Sequence, residues 1–368
     1  MTILRTPRPT PRGRAQGSGI LATAILATLA AAPAAAQEGG AQPPSAAEES
    51  LESTWRQVLG TQATAEERTA DDARRDGTER IEPVPPVQPD RRGEDWRYDV
   101  SIGGTQLART GFDTAAGDVE RRTYTLGVDA TVGGRDGFWR LGYEFENHVY
   151  RFAGATGLLP GTSSPVESLG VHRFGVTRRT RLSESWHGTV AAGIDLALEN
   201  GADIGDSMTW RLAALLGYEV HEDLSIEFGL FARDRLEDDL LAVPVIGVNW
   251  RIDEGTRLAF DGRGLTLSHA YEDGARVFTR AAYENRQFRL DDTGPNPGGS
   301  FADSAFTAIV GMDFDAGIAP DSLATSRIEI YAGAVLGREL EFRADGQRVG
   351  GADADPGAVF GLRVELGL

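Results

Sequence analysis

Between residues 326 and 342 the chain keeps a period of two. Ile328, Ile330, Ala332, Ala334, Leu336, Leu340 and Phe342 share one parity, and Arg327, Glu329, Tyr331, Gly333, Val335, Gly337, Glu339 and Glu341 the other. Successive side chains of a strand point to opposite faces, so this stretch has one apolar face and one that water or ion pairs must satisfy. The same rule separates Trp139, Leu141, Tyr143 and Phe145 from Arg140, Gly142, Glu144 and Glu146. It also separates Trp210, Leu212, Ala214, Leu216, Tyr218 and Val220 from Arg211, Ala213, Gly217, Glu219 and His221. Fourteen segments read this way: 96–109, 121–133, 137–151, 168–183, 185–199, 207–221, 224–235, 240–252, 256–261, 263–271, 275–290, 301–317, 325–343 and 357–368. Turn-forming residues separate them.

Short connections (133–137, 183–185, 221–224, 253–255, 272–274) alternate with longer ones (110–120, 152–167, 200–206, 291–300, 344–356). A bacterial outer-membrane barrel has this alternation, with short periplasmic turns and longer extracellular loops. The expected fold is therefore all-β, an antiparallel transmembrane up-and-down β-barrel of 14 strands. Twelve strands become the better count if the hairpin within 256–271, split at Gly262, is too short to cross. Pro244 weakens its own strand, because proline removes a ladder donor and favours edges or bulges. Parity breaks near 168–176 and 275–288 predict bulges. A soluble antiparallel sandwich also alternates, with the apolar set as its core. Segment length and the loop alternation favour the barrel. An Arg facing mid-bilayer hydrocarbon costs roughly 2 to 4 kcal/mol, so the charged set is expected to face inward.

Ahead of these segments the pattern changes. Arg5, Arg8, Arg12 and Arg14 precede an apolar run from Ile20 to Ala32, and Ala34, Ala35 and Ala36 follow. This reads as a signal peptide over 1–36 rather than a membrane anchor, since the run is short and alanine-rich. Residues 37–95 are polar and proline-containing and read as a disordered periplasmic tail. Within the tail Ser45 and Glu48 resemble a capping box, and Leu51, Trp55 and Leu59 recur at helical spacing, which predicts a short helix over 45–59. The barrel is expected over 96–368. The 368-residue chain has no cysteine and a net charge of -18. That composition excludes disulfide scaffolds and thiol chemistry and argues against a nucleic-acid partner. Mean hydropathy of -0.28 suits a wall in which only every second residue meets lipid.

The last segment places Phe360, Leu362, Val364, Leu366 and Leu368 at every second position back from the terminus. It resembles the C-terminal strand of Gram-negative outer-membrane β-barrels, which commonly ends in Phe where this chain ends in Leu. That likeness implies export to the outer membrane, recognition by the barrel-assembly machinery, and contact with outer-membrane lipid and lipopolysaccharide. Over residues 96–368 a closer likeness is carried by DGRGLTLSHAYEDGARVFTRAAYENRQFRLDD, IEIYAGAVLGRELEFRADG and DADPGAVFGLRVEL. Together they resemble an uncharacterised family of bacterial outer-membrane barrels, a domain of unknown function. The resemblance implies a fold and a membrane but no reaction.

Catalytic readings find little support. Ser268 and His269 are adjacent in a strand and point to opposite faces, as do Asn147 and His148. Ser185 and His187 share a parity but sit at an expected periplasmic turn. The five histidines lie in different segments without ligand spacing, so no metal or other cofactor and no enzymatic activity is expected. Asp353 with Asp355, and Asp291 with Asp292, are acidic pairs in expected outer loops; solvated turns are the simpler reading than calcium sites. The inward parity carries Arg140, Glu144, Glu146, Arg211, Glu219, Glu227, Arg233, Arg251, Arg327, Glu329, Glu339, Arg363 and Glu365. Two functions stay open. Such residues could line a porin-like passive pore for ions or small solutes. They could instead pair across the lumen and plug a structural or adhesive barrel whose acidic outer loops bind a partner.

Overall fold

The computed structural model describes residues 96–134, 136–237, 240–262, 264–272, 274–316 and 325–368. The expected signal peptide, the tail and its helix over 45–59 lie outside the described residues. Fifteen strands follow: β1 (Trp96–Gly111), β2 (Asp118–Gly134), β3 (Gly137–Ala153), β4 (Ser168–Arg181), β5 (Trp186–Glu199), β6 (Met208–His221), β7 (Leu224–Arg233) and β8 (Leu241–Arg251). Then come β9 (Thr256–Phe260), β10 (Gly264–Ala270), β11 (Arg276–Arg289), β12 (Ser300–Asp315), β13 (Thr325–Ala344), β14 (Gln347–Ala354) and β15 (Gly357–Gly367).

Each strand from β1 to β13 pairs antiparallel with the next, and β15 lies between β13 and β1, which closes a barrel of 14 strands. The count is fourteen rather than twelve, because even the short β9 and β10 take their places between β8 and β11. Gly262, with φ +88, makes the turn between them. Ile102, Val190, Leu230, Ile246, Phe360 and Leu362 are exposed on the outer surface, a wall whose outward parity is apolar. At the end that holds Trp96 and Leu368, the terminal end, the same surface carries Tyr98, Trp139, Trp186, Tyr218, Trp250 and Tyr271 as well as Trp96. Such rings sit where hydrocarbon meets the headgroups.

The expected loop over 344–356 is corrected. Asp345 and Gly346, with φ of 51° and 73°, form a two-residue turn, and β14 returns against β13. Positive φ at both central residues is what a tight type I′ hairpin requires, and Asp-Gly supplies it. β14 and β15 are one strand interrupted at Asp355 and Pro356, since the register of β15 against β13 continues into β14 as far as Phe342, where it shifts before the turn. Opposite the interruption, Gly337 has φ +56 and the β12–β13 register shifts between Ser304 and Phe306. A second shift falls in β1 between Leu107 and Thr110. This belt of bulges exchanges the two faces. Below it Leu107, Val335 and Val359 point inward, and above it Phe112, Arg338, Leu340, Phe342 and Ala354 do.

The bulges expected near 168–176 and 275–288 are not there; β3, β4 and β5 keep continuous register, as do β11 and β12. The parity breaks have another cause. At the end opposite Trp96 and Leu368, the loop end, the interior is apolar. Leu169 and Val171 of β4 and Phe288 of β11 therefore face inward. There Arg289 of β11 bridges to Leu198 of β5 across the barrel. This seam makes a smaller ring of nine strands, β11, β12, β13, β14, β1, β2, β3, β4 and β5. The segment expected as an outer loop over 152–167 folds into the ring. Its Leu158, Leu159 and Val166 meet Val119, Tyr150, Phe301, Leu340 and Phe342, all buried. Side chains of this size contribute roughly 1.5 to 3 kcal/mol each when fully buried. The loop end is thus a filled apolar plug.

Candidate functional site

Immediately beneath the plug, Asp303 of β12 gathers the first polar layer. Its Oδ1 accepts from Arg338 Nε at 2.9 Å, and its Oδ2 accepts from Arg338 Nη2 at 2.9 Å, from Arg121 Nη1 at 2.6 Å and from the Tyr150 hydroxyl at 2.7 Å. The fork on Arg338 is the bidentate geometry that a carboxylate holds best. These residues come from β12, β13, β2 and β3 and are all buried, so one carboxylate ties four strands together across the lumen.

The next layer centres on Glu146. Its Oε1 accepts from Arg173 Nη1 at 2.8 Å, while its Oε2 lies 2.8 Å from His148 Nε2 and 3.8 Å from Arg286 Nε. Arg173 also donates to Glu144, and Arg286 Nη1 stands 2.5 Å from Glu284 Oε2. The Nδ1 of His148 lies 2.9 Å from Thr123 Oγ1. Nearer the terminal end the pairs are Arg211 with Asp195, His187 with Glu227 at 2.8 Å, Arg140 with Asp129 at 2.8 Å, and Arg276 with Asp313 at 2.6 Å. Apart from the approach of His148 Nε2 to Glu146 Oε2, which makes no hydrogen bond, each of these contacts joins opposite signs or a hydrogen-bonding pair. A buried charge demands that arrangement, because an unpaired one is costly to desolvate.

Two cavities flank the Glu146 layer. One, of about 120 Å³, is walled by β1, β2, β11, β12, β13 and β15 and includes Thr105, Thr125, Arg280, Glu329, Tyr331 and Arg363. The other, of about 60 Å³, lies toward β5, β6 and β7 and includes Asp195, Thr209, Arg233, Asn285 and Gln287. Glu146, Glu284 and Arg286 line both. The lumen is thus a pair of polar chambers divided by an ion-paired layer and capped by the plug.

The thirteen expected lumen residues distribute unevenly. Arg140, Glu144, Glu146, Arg211, Glu227 and Arg327 stand in the paired layers, with Arg327 Nε 3.5 Å from Asp313. Arg233, Glu329 and Arg363 line the cavities, where Arg363 donates to Ser101 Oγ at 3.1 Å. Glu365 sits half-buried opposite Ser101 near the terminal end. Glu219 and Arg251 are exposed near the terminal-end turns, and Arg251 is held by Asp223 at 2.6 Å. Glu339 lies on the other side of its strand, 2.7 Å from Arg348 of β14, because the bulge at Gly337 has turned it out. Sequence parity missed Arg121, Arg173, Asp195, Glu284, Arg286, Asp303 and Arg338. Arg121, Arg173 and Asp195 lie on β2, β4 and β5, strands from which it selected no residue. Arg338 is the only charge on the apolar parity of 328–342, and that misfit marked the bulge.

His269 Nδ1 lies 2.9 Å from Thr256 Oγ1, and His187 meets Glu227 and Arg179, so neither histidine stands with the serine beside it in sequence. Among the described residues no group of three or more His, Asp or Glu is arranged to hold a metal.

No family model matches the chain, and no curated protein matches it. Solved structures do. An outer-membrane channel from Pseudomonas putida F1 is similar over 78% of this chain and 100% of its own, at 10% identity and a TM-score of 0.41. The Pseudomonas putida toluene transporter TodX is similar over 74% and 89%, at 7% identity and a TM-score of 0.38. OpdK of Pseudomonas aeruginosa, solved with vanillate, is similar over 75% and 100%, at 11% identity and a TM-score of 0.31. At this distance the architecture rests on the strand pairing of the chain itself.

Proposed function

We propose that the protein is an outer-membrane channel for small solutes that rests closed. The observation that carries this reading is the pair of polar chambers, about 120 and 60 Å³, inside a wall with an apolar exterior and beneath an apolar plug. A barrel built only to hold shape gains nothing from interior space, and a purely open pore gains nothing from a plug. In this reading the aromatic belt lies at the periplasmic interface, the plug faces outward, and the outer wall meets lipid and lipopolysaccharide. β15, with its alternating Phe360, Leu362 and Val364, is the segment that the assembly machinery recognises. The mixed charges favour neither sign strongly, so selectivity follows the local balance at the Glu146 layer. No catalytic role is assigned.

The loop over 154–167 is then the gate. Refolded wild-type protein in planar bilayers is expected to open rarely. A variant lacking residues 155–166 should conduct in steps at least tenfold more often, with its heat-modifiable mobility retained. Silence from both proteins at every voltage defeats the channel reading and leaves the alternative, a structural barrel braced by its ion pairs.

A further inference from the structure

The wall is lower on one flank than on the others. β9 pairs with β8 only over Val248–Arg251, and β10 pairs with β11 only over Arg276–Ala282. β8 continues toward the loop end through Leu241, and β11 through Arg289. Among the described residues, no strand stands between those two upper segments. Instead β11 leans across the barrel, and Arg289 bridges to Leu198 of β5. The result is a window. Its sill is the turn at Gly262, where a Cβ would stand 3.3 Å from Val245. Its lintel is Glu237, whose Oε1 accepts from Arg289 Nη1 at 3.1 Å.

Three further observations place a ligand path here. Behind the window lies the chamber of about 60 Å³, lined by Asn285, Gln287 and Arg233. The face of β11 that would meet lipid in an upright wall carries Tyr283, Asn285, Gln287 and Arg289, polar where the outer wall elsewhere is apolar. The β8 side of the frame carries Pro244, which offers no N–H to an absent neighbour and so tolerates an open edge. The mouth at the loop end, by contrast, is filled by the plug.

We propose that small amphipathic solutes with a zwitterionic or uncharged polar head exchange sideways through the window between β8 and β11, the head resting in the chamber against Asn285 and Gln287. The head must offer both signs, because Glu144, Glu146, Asp195 and Glu284 share the chamber with Arg173, Arg233 and Arg286. The apolar tail follows from the exposed Ala242, Pro244 and Ile246 that border the opening. The ligand class rests on the channel reading; the window itself does not.

The chain has no cysteine, so an Asn285→Cys barrel takes one environment-sensitive fluorophore, and Thr125→Cys, in the other cavity behind paired wall, is the control. Phospholipids bearing a nitroxide near the headgroup are expected to quench the label at 285 at least twofold more than the label at 125. Equal quenching overturns the window. Gln287→Cys repeats the test if the first variant fails to show heat-modifiable mobility. Hexylphosphocholine should shift the emission at 285 saturably, at a concentration at least fivefold below that needed by hexyl sulfate; equal or absent responses overturn the ligand class. A quenched label in an electrically silent barrel would defeat conduction and leave the window standing.

Discussion

The two halves of the lumen are filled by opposite chemistries within the same strands. β13 carries Arg327, Glu329 and Tyr331 inward below Gly337, and Leu340 and Phe342 inward above it. Toward the termini the interior is held by directional pairs that leave cavities between them. Toward the loops it is held by close-packed rings and aliphatic chains that leave little room. Alternation in a sequence states which residues share a face, and it does not state what that face meets. A barrel can turn the same parity toward ion pairs at one height and toward a plug at another.

The largest effect should come where the two halves meet. Asp303→Asn removes the charge that Arg338 and Arg121 both face in a buried site, and breaking such a pair from one side costs roughly 3 to 5 kcal/mol. Guanidinium titration in lipid vesicles would measure the loss. The plug should loosen with it, since Tyr150 both donates to Asp303 and packs on Phe301, with ring centroids 5.3 Å apart. A loss below about 1 kcal/mol, the scale of an exposed ion pair, would mean that Asp303 does not brace the junction of the two halves.

A smaller effect is expected at the switch between the faces. A Cβ at Gly337 meets nothing within 4 Å, so Gly337→Ala tests backbone conformation alone. Holding a residue with a Cβ at φ +56 costs roughly 1 to 2 kcal/mol. The same titration should register that loss, and an unchanged midpoint would show that the bulge is held by its neighbours rather than by the glycine.

The sequence made the wall legible. Each of the fourteen wall strands overlaps one alternating segment, with β14 alone outside them, because a lipid-facing surface tolerates few departures from apolar residues. Trp139, Leu141, Trp210 and Leu212 face outward as their parity requires. The interior was less legible. Leu215 of β6 points inward and is buried with Phe231 and Val245, although parity alone assigned that face to polar groups. The parity breaks around Leu169 and Phe288 read as bulges, yet both side chains face a plug formed by a loop that is distant in sequence. β14 was hidden by its glycine-rich sequence, Gly350 and Gly351 within GQRVGGADAD, which reads locally as a loop. The partners of Glu146 come from β3, β4 and β11, and no local pattern announces a contact of that range.

The smallest effect concerns the interruption opposite Gly337, where the two halves of the comparison are joined on the outer surface. Asp355 lies between β14 and β15, and the hydrogen bond it shares with Asp113, followed by partial desolvation and the charge of Asp113, raises its carboxyl above the ordinary value of 3.8. Two carboxyls this close cannot both ionise freely, so the folded state takes up a proton before the unfolded chain does. A raised acid adds stability that is full below 3.8 and is lost as pH rises through the folded value. Acidification through that window should therefore tighten the kink rather than loosen it. Asp355→Asn, which keeps a hydrogen-bonding group and removes the charge, should abolish the dependence. Hydrogen exchange of the amides of Asp113 and Asp355, which donate to the Asp353 and Gly111 carbonyls at 3.0 and 2.9 Å, reads the change directly. Protection that falls on acidification in the wild type, or that still varies with pH in the variant, would place the proton elsewhere.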